Sequence, residues 1–380
     1  MRRALVLGGG FGGIATAVAL RERLDPSDEV MLVERRPTFV MGLRKNWGLL
    51  GSSTLAAGER SLATLRSRGI EVVAGSIESI RPLTREADVD GRTIGADALV
   101  VALGAERDPD RVPGFRDHAI DVYDPAANAA GAAAIDAFEG GRIVVGVFGV
   151  PYPCPPAPFE LALLLSERFA ERRVPGGVFV FAPQPGSLPI LGDAGCAAFD
   201  GRLASEGISF RPKTQATAVE PAAVIAGETR IPFDLLLGVP PHRVPRVVVD
   251  GDLAEPNGWV KVDPRTLETR FPGVFAIGDV TAIPLANGMA LPKAGVFAHA
   301  EGEVVAARIA AGFAGAPPEA TFAGQGMCFL ETGHGRATMV RGDFFATPPD
   351  VALADATAEH LDAKHAFETD RLTAWFGSPD

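Results

Sequence analysis

The chain has 380 residues, a net charge of −11 and a pI near 5.2, and 47% of its residues are hydrophobic. This length allows roughly two or three domains. The acidic balance argues against nucleic-acid binding and against simple electrostatic attraction to anionic lipid. No run of about 18 apolar residues is present, so we expect no membrane-spanning helix. The sequence enters a strand at once without a signal peptide, which predicts a cytoplasmic protein.

The first predicted unit is a strand at residues 3–7, a glycine-rich turn, a helix from residue 14 to about 24, and a second strand at 30–33. The turn has the pattern G-x-G-x-x-G and the second strand ends in a glutamate. The first glycine allows the tight turn, the second admits a pyrophosphate, the third lets helix and strand pack, and the acid binds a ribose. A glycine-rich turn without a ligand is the alternative. The predicted contact residues are Gly8, Gly10, Phe11, Gly13 and Glu34.

Short strands and an irregular segment follow this unit. Residues 77–98 alternate around an Asp-Gly turn, which predicts a small meander or hairpin. The run A-L-V-V-A-L-G-A, residues 98–105, predicts a buried strand that ends in a tight turn with Ala102 and Gly104. Residues 108–137 are irregular and then alanine-rich, which indicates a crossing between domains.

The loop between a predicted strand at 143–147 and the next helix has an unusual composition. Residues 151–158 contain five prolines. Proline has no N–H group, so this loop is poorly suited to bind a nucleotide phosphate. It would instead hold Cys154 rigidly before a helix that starts near Ala157, and the positive helix end would favour the thiolate. Glu160 in the first turn would complement the same helix end.

Further elements are predicted in the second half of the chain. Strands are expected at 177–182 and 231–237, the first without an acid or arginine to bind a ribose. Residues 271–280 form a buried strand that runs into Gly278 and Asp279. Lys293 precedes a long helix at 296–311, residues 324–340 contain Cys328, and residues 357–376 are helical.

The order of these motifs resembles the two-dinucleotide-binding-domain flavoproteins, which are α/β proteins with two Rossmann-like domains. The resemblance implies FAD, with its ADP part on the first glycine turn and its ribityl chain on Asp279. It also implies the domain organisation. The predicted units are an FAD-binding domain at 1–110 and 246–318, a second Rossmann-like domain without the NAD phosphate loop at 111–245, and a small C-terminal region at 319–380.

Two cysteine motifs narrow the resemblance. P-Y-P-C-P-P-A-P-F-E and G-Q-G-M-C-F-L-E-T-G are similar to motifs of the sulfide:quinone oxidoreductases and the flavocytochrome c sulfide dehydrogenase flavoproteins, and the tail motif A-K-H-A-F-E is similar to the quinone-linked branch. The resemblance implies that Cys154 and Cys328 form a redox-active pair, joined directly or through a sulfur chain. Sulfide or sulfane sulfur would be oxidised through this pair, and electrons would pass through FAD to a quinone or another acceptor.

The resemblance also suggests roles for two charged residues. Glu160 becomes a candidate acid/base group, beside its simpler role at the helix end. Lys293 would stabilise negative charge on the reduced flavin, and a solvated surface lysine is the alternative.

Several alternatives stay open at this point. One alternative function is an NAD(P)H-dependent flavoprotein reductase, against which the proline loop argues. Another is a flavin-binding regulatory protein without catalytic turnover. Cys328 alone would pass as a core cysteine, Cys196 is expected to be buried, and no histidine spacing indicates a metal. A homodimer and a peripheral membrane contact remain open, although an acidic tail is a poor lipid anchor. Six aromatic residues could line a quinone pocket or a membrane-facing patch, with core packing favoured, namely Trp47, Phe329, Phe344, Phe345, Trp375 and Phe376.

Overall fold

The structure is a computed structural model that describes residues 1–255 and 258–378. The predicted units at 246–318 and 319–380 each include two residues outside this description. The strands are β1 Arg3–Leu7, β2 Glu29–Glu34, β3 Thr38–Phe39, β4 Arg60–Ser61, β5 Glu71–Ala74, β6 Ile77–Arg81, β7 Glu86–Val89, β8 Arg92–Gly95, β9 Ala98–Val101, β10 Glu106–Arg107, β11 Ile120–Asp121, β12 Gly141–Val147, β13 Gly176–Phe181, β14 Ser209–Arg211, β15 Ala218–Glu220, β16 Ala223–Ala226, β17 Thr229–Pro232, β18 Leu235–Val239, β19 His242–Arg243, β20 Val274–Ala276, β21 Gln325–Gly333, β22 Arg336–Asp343 and β23 Asp350–Leu353.

The helices are α1 Phe11–Arg23, α2 Arg44–Leu50, α3 Phe115–His118, α4 Asn128–Asp136, α5 Ala157–Arg172, α6 Gly192–Ser205, α7 Arg246–Asp250, α8 Gly295–Ala314 and α9 Ala358–Phe376. Short 3-10 segments lie at Ala56–Gly58, Leu62–Arg68, Pro109–Arg111, Pro125–Ala127, Pro189–Leu191 and Gly278–Val280.

The first parallel sheet combines strands from both ends of the chain. Its order is β20-β9-β1-β2-β5, so β20 pairs with β9 although the whole second sheet lies between them in sequence. Helix α1 packs closely on α8 beside this sheet. A Cβ atom at Gly302 would lie 2.6 Å from the Thr16 hydroxyl, so the glycine is needed for this close helix contact. The packing brings the first turns of both helices to one edge of the sheet.

The second parallel sheet has the order β11-β18-β12-β13-β14. Its central strand β12 is buried from Ile143 to Val147, as expected for a parallel strand covered on both faces. Antiparallel meanders, β6-β7-β8 and β15-β16-β17, accompany the two parallel sheets. The two sheets confirm the predicted α/β class with Rossmann-like cores.

One predicted strand is wrong and one predicted helix is confirmed. The apolar run at 231–237 is divided between β17 and β18, which belong to different sheets. Pro232 ends β17 because proline cannot donate to a ladder, and the Asp234 carboxylate between the strands accepts a hydrogen bond from the Arg142 N–H at 2.7 Å. In the tail, Thr357 caps α9 by accepting a hydrogen bond from the His360 N–H at 3.1 Å.

Helix α9 packs its aromatic side chains against α1 and β3. The ring centroid of Trp375 lies 4.9 Å from Phe11 and 5.8 Å from Phe39, and Phe367 stacks on Phe11 at 6.1 Å. Core packing is therefore confirmed for the four aromatic residues that are at least nine-tenths buried, which are Trp47, Phe344, Trp375 and Phe376. Phe329 and Phe345 are half-buried.

None of the helices in the described residues combines the length and the apolarity that crossing a membrane requires.

We expect Trp375→Ala to lower the free energy of unfolding by about 3–5 kcal/mol, because it removes a side chain that is 2% exposed and packs on four other rings. Chemical denaturation monitored by circular dichroism measures the change. Leu83→Ala is the control, since Leu83 is 80% exposed and its loss should change stability by no more than about 0.5 kcal/mol. Equal stability of the two variants would contradict this packing of α9.

Candidate active site

The glycine turn after β1 leaves space where a dinucleotide would lie. A Cβ atom at Gly8 would meet the Ala102 carbonyl oxygen at 2.4 Å, and one at Gly13 would meet the Gly8 carbonyl oxygen at 1.8 Å, so both positions require glycine. At Gly10 a Cβ atom would have no described neighbour within 4 Å. No side chain caps the N-terminus of α1, which begins at Phe11, so its N–H groups face this space. Gly104, with φ of +66°, borders equally empty space.

The Glu34 carboxylate is oriented by its neighbours at the end of β2. It accepts a hydrogen bond from the Gly9 N–H at 2.8 Å and two from the backbone N–H and the Nε of Arg36, each at 3.0 Å. Burial opposes the charged form, but the Arg36 guanidinium and these N–H groups hold the pKa of Glu34 below its usual value. Glu34 therefore stays ionised beside the glycine turn, as an acceptor for a ribose hydroxyl requires.

The segment after β20 meets Lys293 in a buried site. The Lys293 ammonium donates to the Asp279 carbonyl oxygen at 2.6 Å and to the Thr281 carbonyl oxygen at 2.9 Å. Lys293 is 6% exposed, so the alternative of a solvated surface lysine is wrong. Burial lowers the pKa of Lys293 to about 8. It also raises the pKa of the Asp279 carboxyl, whose oxygens accept no hydrogen bond from the described residues.

These features meet the requirements of a bound FAD. The empty space at Gly10, the uncapped N-terminus of α1 and the unbonded Asp279 carboxylate lie where a pyrophosphate and a polyol chain need donors and acceptors. Glu301 supports the Asp279 segment from α8, because its carboxylate accepts a hydrogen bond from the Gly278 N–H at 2.6 Å. Burial raises the pKa of Glu301 to about 7.

The proline loop is held in place by hydrogen bonds to its carbonyl groups. The Tyr123 hydroxyl donates to the Pro153 carbonyl oxygen at 2.8 Å, and the Tyr152 hydroxyl donates to the Pro155 carbonyl oxygen at 3.0 Å. Cys154 has a left-handed backbone conformation with φ of +51°. Its N–H donates to the Lys293 carbonyl oxygen at 2.6 Å, which ties the cysteine to the residue that precedes α8.

Cys154 and Cys328 are two free, half-buried thiols that lie close enough for their side chains to interact. A hydrogen bond from the Cys328 thiol lowers the pKa of Cys154, and the Ala157 N–H at the start of α5 acts in the same direction. The same contact, together with burial, raises the pKa of Cys328 far above its usual value. Cys154 is therefore the thiol that ionises first. Cys196 lies apart on α6 and is half-buried rather than buried as expected.

Glu160 belongs to a buried ion network beside the two thiols. The Lys364 ammonium binds Glu160 at 2.8 Å and Glu331 at 2.7 Å. The Glu160 carboxylate also accepts hydrogen bonds from the Asn46 side chain at 2.9 Å and from the Glu331 N–H at 2.8 Å, and the Trp47 indole N–H donates to Glu331. Glu160 therefore does more than complement the N-terminus of α5, since it connects α5 with β21 and α9.

Sequence reasoning missed most members of this network. Lys364 and Glu331 stand inside motifs that carried the family resemblance, but nothing local marks them as partners of Glu160. Lys364 lies 204 residues from Glu160 in sequence, and the contact forms only when the C-terminal region packs on α5. Tyr123 and Lys45, which lies on α2 with its ammonium 5.3 Å from the Tyr123 ring centroid, were missed for the same reason.

Comparison with known proteins defines the class. Residues 2–146 match the family described as pyridine nucleotide-disulphide oxidoreductase. The chain is 25% identical over 383 residues to the mitochondrial sulfide:quinone oxidoreductase of Mus musculus, which covers 94% of this chain and 81% of that protein. It is 28% identical over 314 residues to the sulfide-quinone reductase of Aquifex aeolicus, and the match covers 74% of this chain and 69% of that protein.

A solved structure confirms the fold. The X-ray structure of the sulfide:quinone oxidoreductase from Aquifex aeolicus superimposes with a TM-score of 0.89 and 22% identity, covering all of this chain and 92% of that one. The protein is thus an FAD-dependent oxidoreductase with the fold of the two-dinucleotide-binding-domain flavoproteins. Within that class the predicted resemblance to the sulfide:quinone oxidoreductases is confirmed, and the alternative of a regulatory protein without turnover is not.

We expect Lys364→Met to lower the free energy of unfolding by about 3–5 kcal/mol, because it leaves the Glu160 and Glu331 carboxylates buried without their cation. Chemical denaturation of the purified protein measures the loss. Lys261→Met is the control at an exposed lysine. A second variant that adds Glu160→Gln and Glu331→Gln should recover part of the loss, since neutral amides carry a smaller desolvation penalty. A single variant as stable as the control would contradict the ion network.

Proposed function

We propose that this chain oxidises sulfide through the Cys154–Cys328 pair and passes the electrons through FAD to a quinone. The observation that carries the proposal is the interaction between these two thiols, with the Cys154 N–H bound to the carbonyl oxygen of Lys293, just before α8. The similarity to sulfide:quinone oxidoreductases supports the sulfur substrate and the quinone acceptor.

The proposed FAD site uses residues at the carboxyl edge of the first sheet. Gly8, Gly10, Gly13 and the first turn of α1 would hold the pyrophosphate, Glu34 the ribose and Asp279 the ribityl chain. Phe11, Ala102, Gly104 and Gly278 would line the path between them. When bound, FAD supplies a two-electron acceptor beside the cysteine pair. Lys293 would position the Asp279 segment through its two carbonyl contacts and add positive charge to the site.

The directions of the two thiol pKa values support the proposed roles of the cysteines. In the oxidised protein the two sulfur atoms are bonded to each other. Hydrosulfide attacks Cys328 Sγ, the bond between the cysteines breaks, and a persulfide forms on Cys328. Cys154 leaves with the electron pair as a thiolate, because the thiol with the lower pKa is the better leaving group. A second hydrosulfide would take the outer sulfur of the persulfide as hydrodisulfide and free the Cys328 thiolate. The bond between Cys328 Sγ and Cys154 Sγ would then form again as the two electrons pass to bound FAD and go on to the quinone.

The proline loop supports sulfide rather than NAD(P)H as the electron donor. Its prolines have no N–H group, and the N–H of Cys154 is already bound to the Lys293 carbonyl oxygen. The tyrosine hydroxyls of Tyr123 and Tyr152 fix its carbonyl groups. A nicotinamide dinucleotide would therefore find few donors for its pyrophosphate here. Peripheral contact with the cytoplasmic face of a membrane, through which a quinone would be reached, and a homodimer belong to the same proposal.

Gly10→Val should abolish flavin binding without unfolding the protein. The backbone at Gly10 is extended and a Cβ atom there meets no described neighbour within 4 Å, so a side chain fits the fold but fills the space of the pyrophosphate. The flavin absorbance of the purified variant and its far-ultraviolet circular dichroism measure the two effects. Gly201→Val, at an equally unobstructed exposed position on α6, is the control. A Gly10→Val protein with a full complement of FAD would overturn the site.

Anaerobic titration tests the reaction itself. Sulfide should bleach the flavin band of the wild-type holoenzyme, and NADH should not. Cys154→Ser and Cys328→Ser should each slow bleaching by sulfide at least about a thousandfold, as expected when one member of a covalent relay is removed. Cys196→Ser is the matched control and should react like the wild type. Bleaching by NADH alone, or an unchanged rate in Cys154→Ser, would refute the proposal.

A further inference from the structure

Lys45 is a cation near the cysteine pair whose ammonium group has no hydrogen-bond acceptor among residues 1–255 and 258–378. The two other lysines of the site each have two acceptors, since Lys293 donates to two carbonyl oxygens and Lys364 binds two carboxylates. Across the described residues, the Lys45 ammonium donates no hydrogen bond and forms no ion pair. Its contact is the face of the Tyr123 ring, 5.3 Å away. Lys45 is half-buried, so its side chain is only partly exposed to solvent.

The backbone around Lys45 is fixed against the element that follows Cys154. Arg44 pairs with Glu368 at 2.6 Å, and Asn46 donates to the Ala157 carbonyl oxygen at 3.1 Å in the first turn of α5. The Lys45 carbonyl oxygen itself accepts a hydrogen bond from the Asn128 side chain at 2.8 Å. The Lys45 side chain, by contrast, contacts the Tyr123 ring but forms no hydrogen bond with any described residue.

The charges around Lys45 include no carboxylate that pairs with it in the described part of the chain. Asp121 attracts the ammonium group, but its carboxylate already pairs with Arg107, which repels Lys45. Arg107 also pairs with Asp124 at 3.0 Å. Burial lowers the pKa of Lys45 to about 8, and a Cys154 thiolate opposes that shift.

The Cys154 loop is connected to Lys45 through Tyr123. The Tyr123 hydroxyl donates to the Cys154 carbonyl oxygen at 3.2 Å while its ring faces the ammonium group. The Tyr123 ring therefore lies between the Lys45 ammonium and the backbone of Cys154, and the Lys45 charge interacts with the Cys154 thiolate. Without Lys45 a small anion that approaches the cysteine pair would meet the Glu160 carboxylate, whose negative charge acts on both thiols.

We propose that Lys45 is the anion-binding residue of the active site and holds a small monovalent sulfur anion in front of the Cys154–Cys328 pair. If the proposed function holds, this anion is hydrosulfide. The ammonium group offsets the repulsion between the incoming anion and Glu160, and it stabilises the thiolate that leaves on Cys154. The identity of the anion rests on the proposed function, whereas the anion site does not.

Charged and neutral alkylating reagents test the anion site in the reduced holoenzyme. The rates of Cys154 modification by iodoacetate and by iodoacetamide are followed by peptide mass spectrometry. In Lys45→Met the ratio of the two rates should fall about tenfold, as removal of one nearby charge predicts, while the iodoacetamide rate stays within about threefold. Lys45→Arg should restore the ratio, and added salt should weaken the wild-type preference.

Two controls accompany this experiment. Lys261→Met removes an exposed lysine and should leave the ratio unchanged. Cys196 on α6 is the internal reference, and its ratio should be the same in every variant. Two results would overturn the proposal. The first is an unchanged ratio in Lys45→Met; if both rates fall equally, Lys45 acts only through the pKa of Cys154. The second is loss of flavin, which would place Lys45 in the cofactor site.

Rapid reduction by sulfide identifies the anion. Lys45→Met should raise the sulfide concentration for half-maximal reduction about tenfold with little change in the limiting rate, because the residue binds the substrate and does not react. If the sulfide concentration for half-maximal reduction is unchanged in Lys45→Met, hydrosulfide is not the ligand of Lys45. If sulfide reduces neither protein while the alkylation ratio still depends on Lys45, the anion site stands and the proposed sulfide oxidation fails.

Discussion

The shared contact of Lys364 with two carboxylates is the interaction on which the candidate site depends. Glu160 stands on α5 just after the Cys154 loop, and Glu331 stands on β21 just after Cys328. Two buried carboxylates would repel each other, but one ammonium group binds both at 2.7–2.8 Å. The Glu331 N–H also donates to Glu160, which fixes β21 against the first turn of α5. Bringing these two residues together brings the two cysteines together, although they are far apart in sequence.

The second constraint is the connection between the cysteine loop and the flavin side of the molecule. The Cys154 N–H binds the Lys293 carbonyl oxygen, and the Lys293 side chain binds the Asp279 carbonyl oxygen. Lys293 therefore joins the Cys154 loop of the second sheet to the segment that follows β20 of the first sheet. A glycine-rich phosphate loop at this place would leave its N–H groups free for a dinucleotide. Here the prolines offer no N–H groups, and two tyrosine hydroxyls bind the carbonyl groups of the loop. The same α/β framework therefore presents the Cys154 thiol in place of a phosphate-binding loop.

The sequence predicts what depends on neighbouring residues and misses what depends on distant ones. The strand, glycine turn and helix at the N-terminus follow a local pattern, and the backbone requires glycine at Gly8 and Gly13 as that pattern implies. The cysteine pair came from motif resemblance, since spacing alone cannot show contact. Lys45, Tyr123 and Lys364 carry no local signal, because their partners belong to other elements. The strand predicted at 231–237 failed because apolar character does not reveal where a chain changes sheets.

The most direct test of the sulfur relay is the location of sulfur after one turnover step. The oxidised holoenzyme is mixed anaerobically with one equivalent of sulfide, blocked with an alkylating reagent and digested for mass spectrometry. The proposed chemistry predicts one additional sulfur atom on the peptide that contains Cys328, with Cys154 recovered without extra sulfur. Sulfide consumption with no added sulfur on either cysteine, or with added sulfur on Cys196 alone, would contradict the relay.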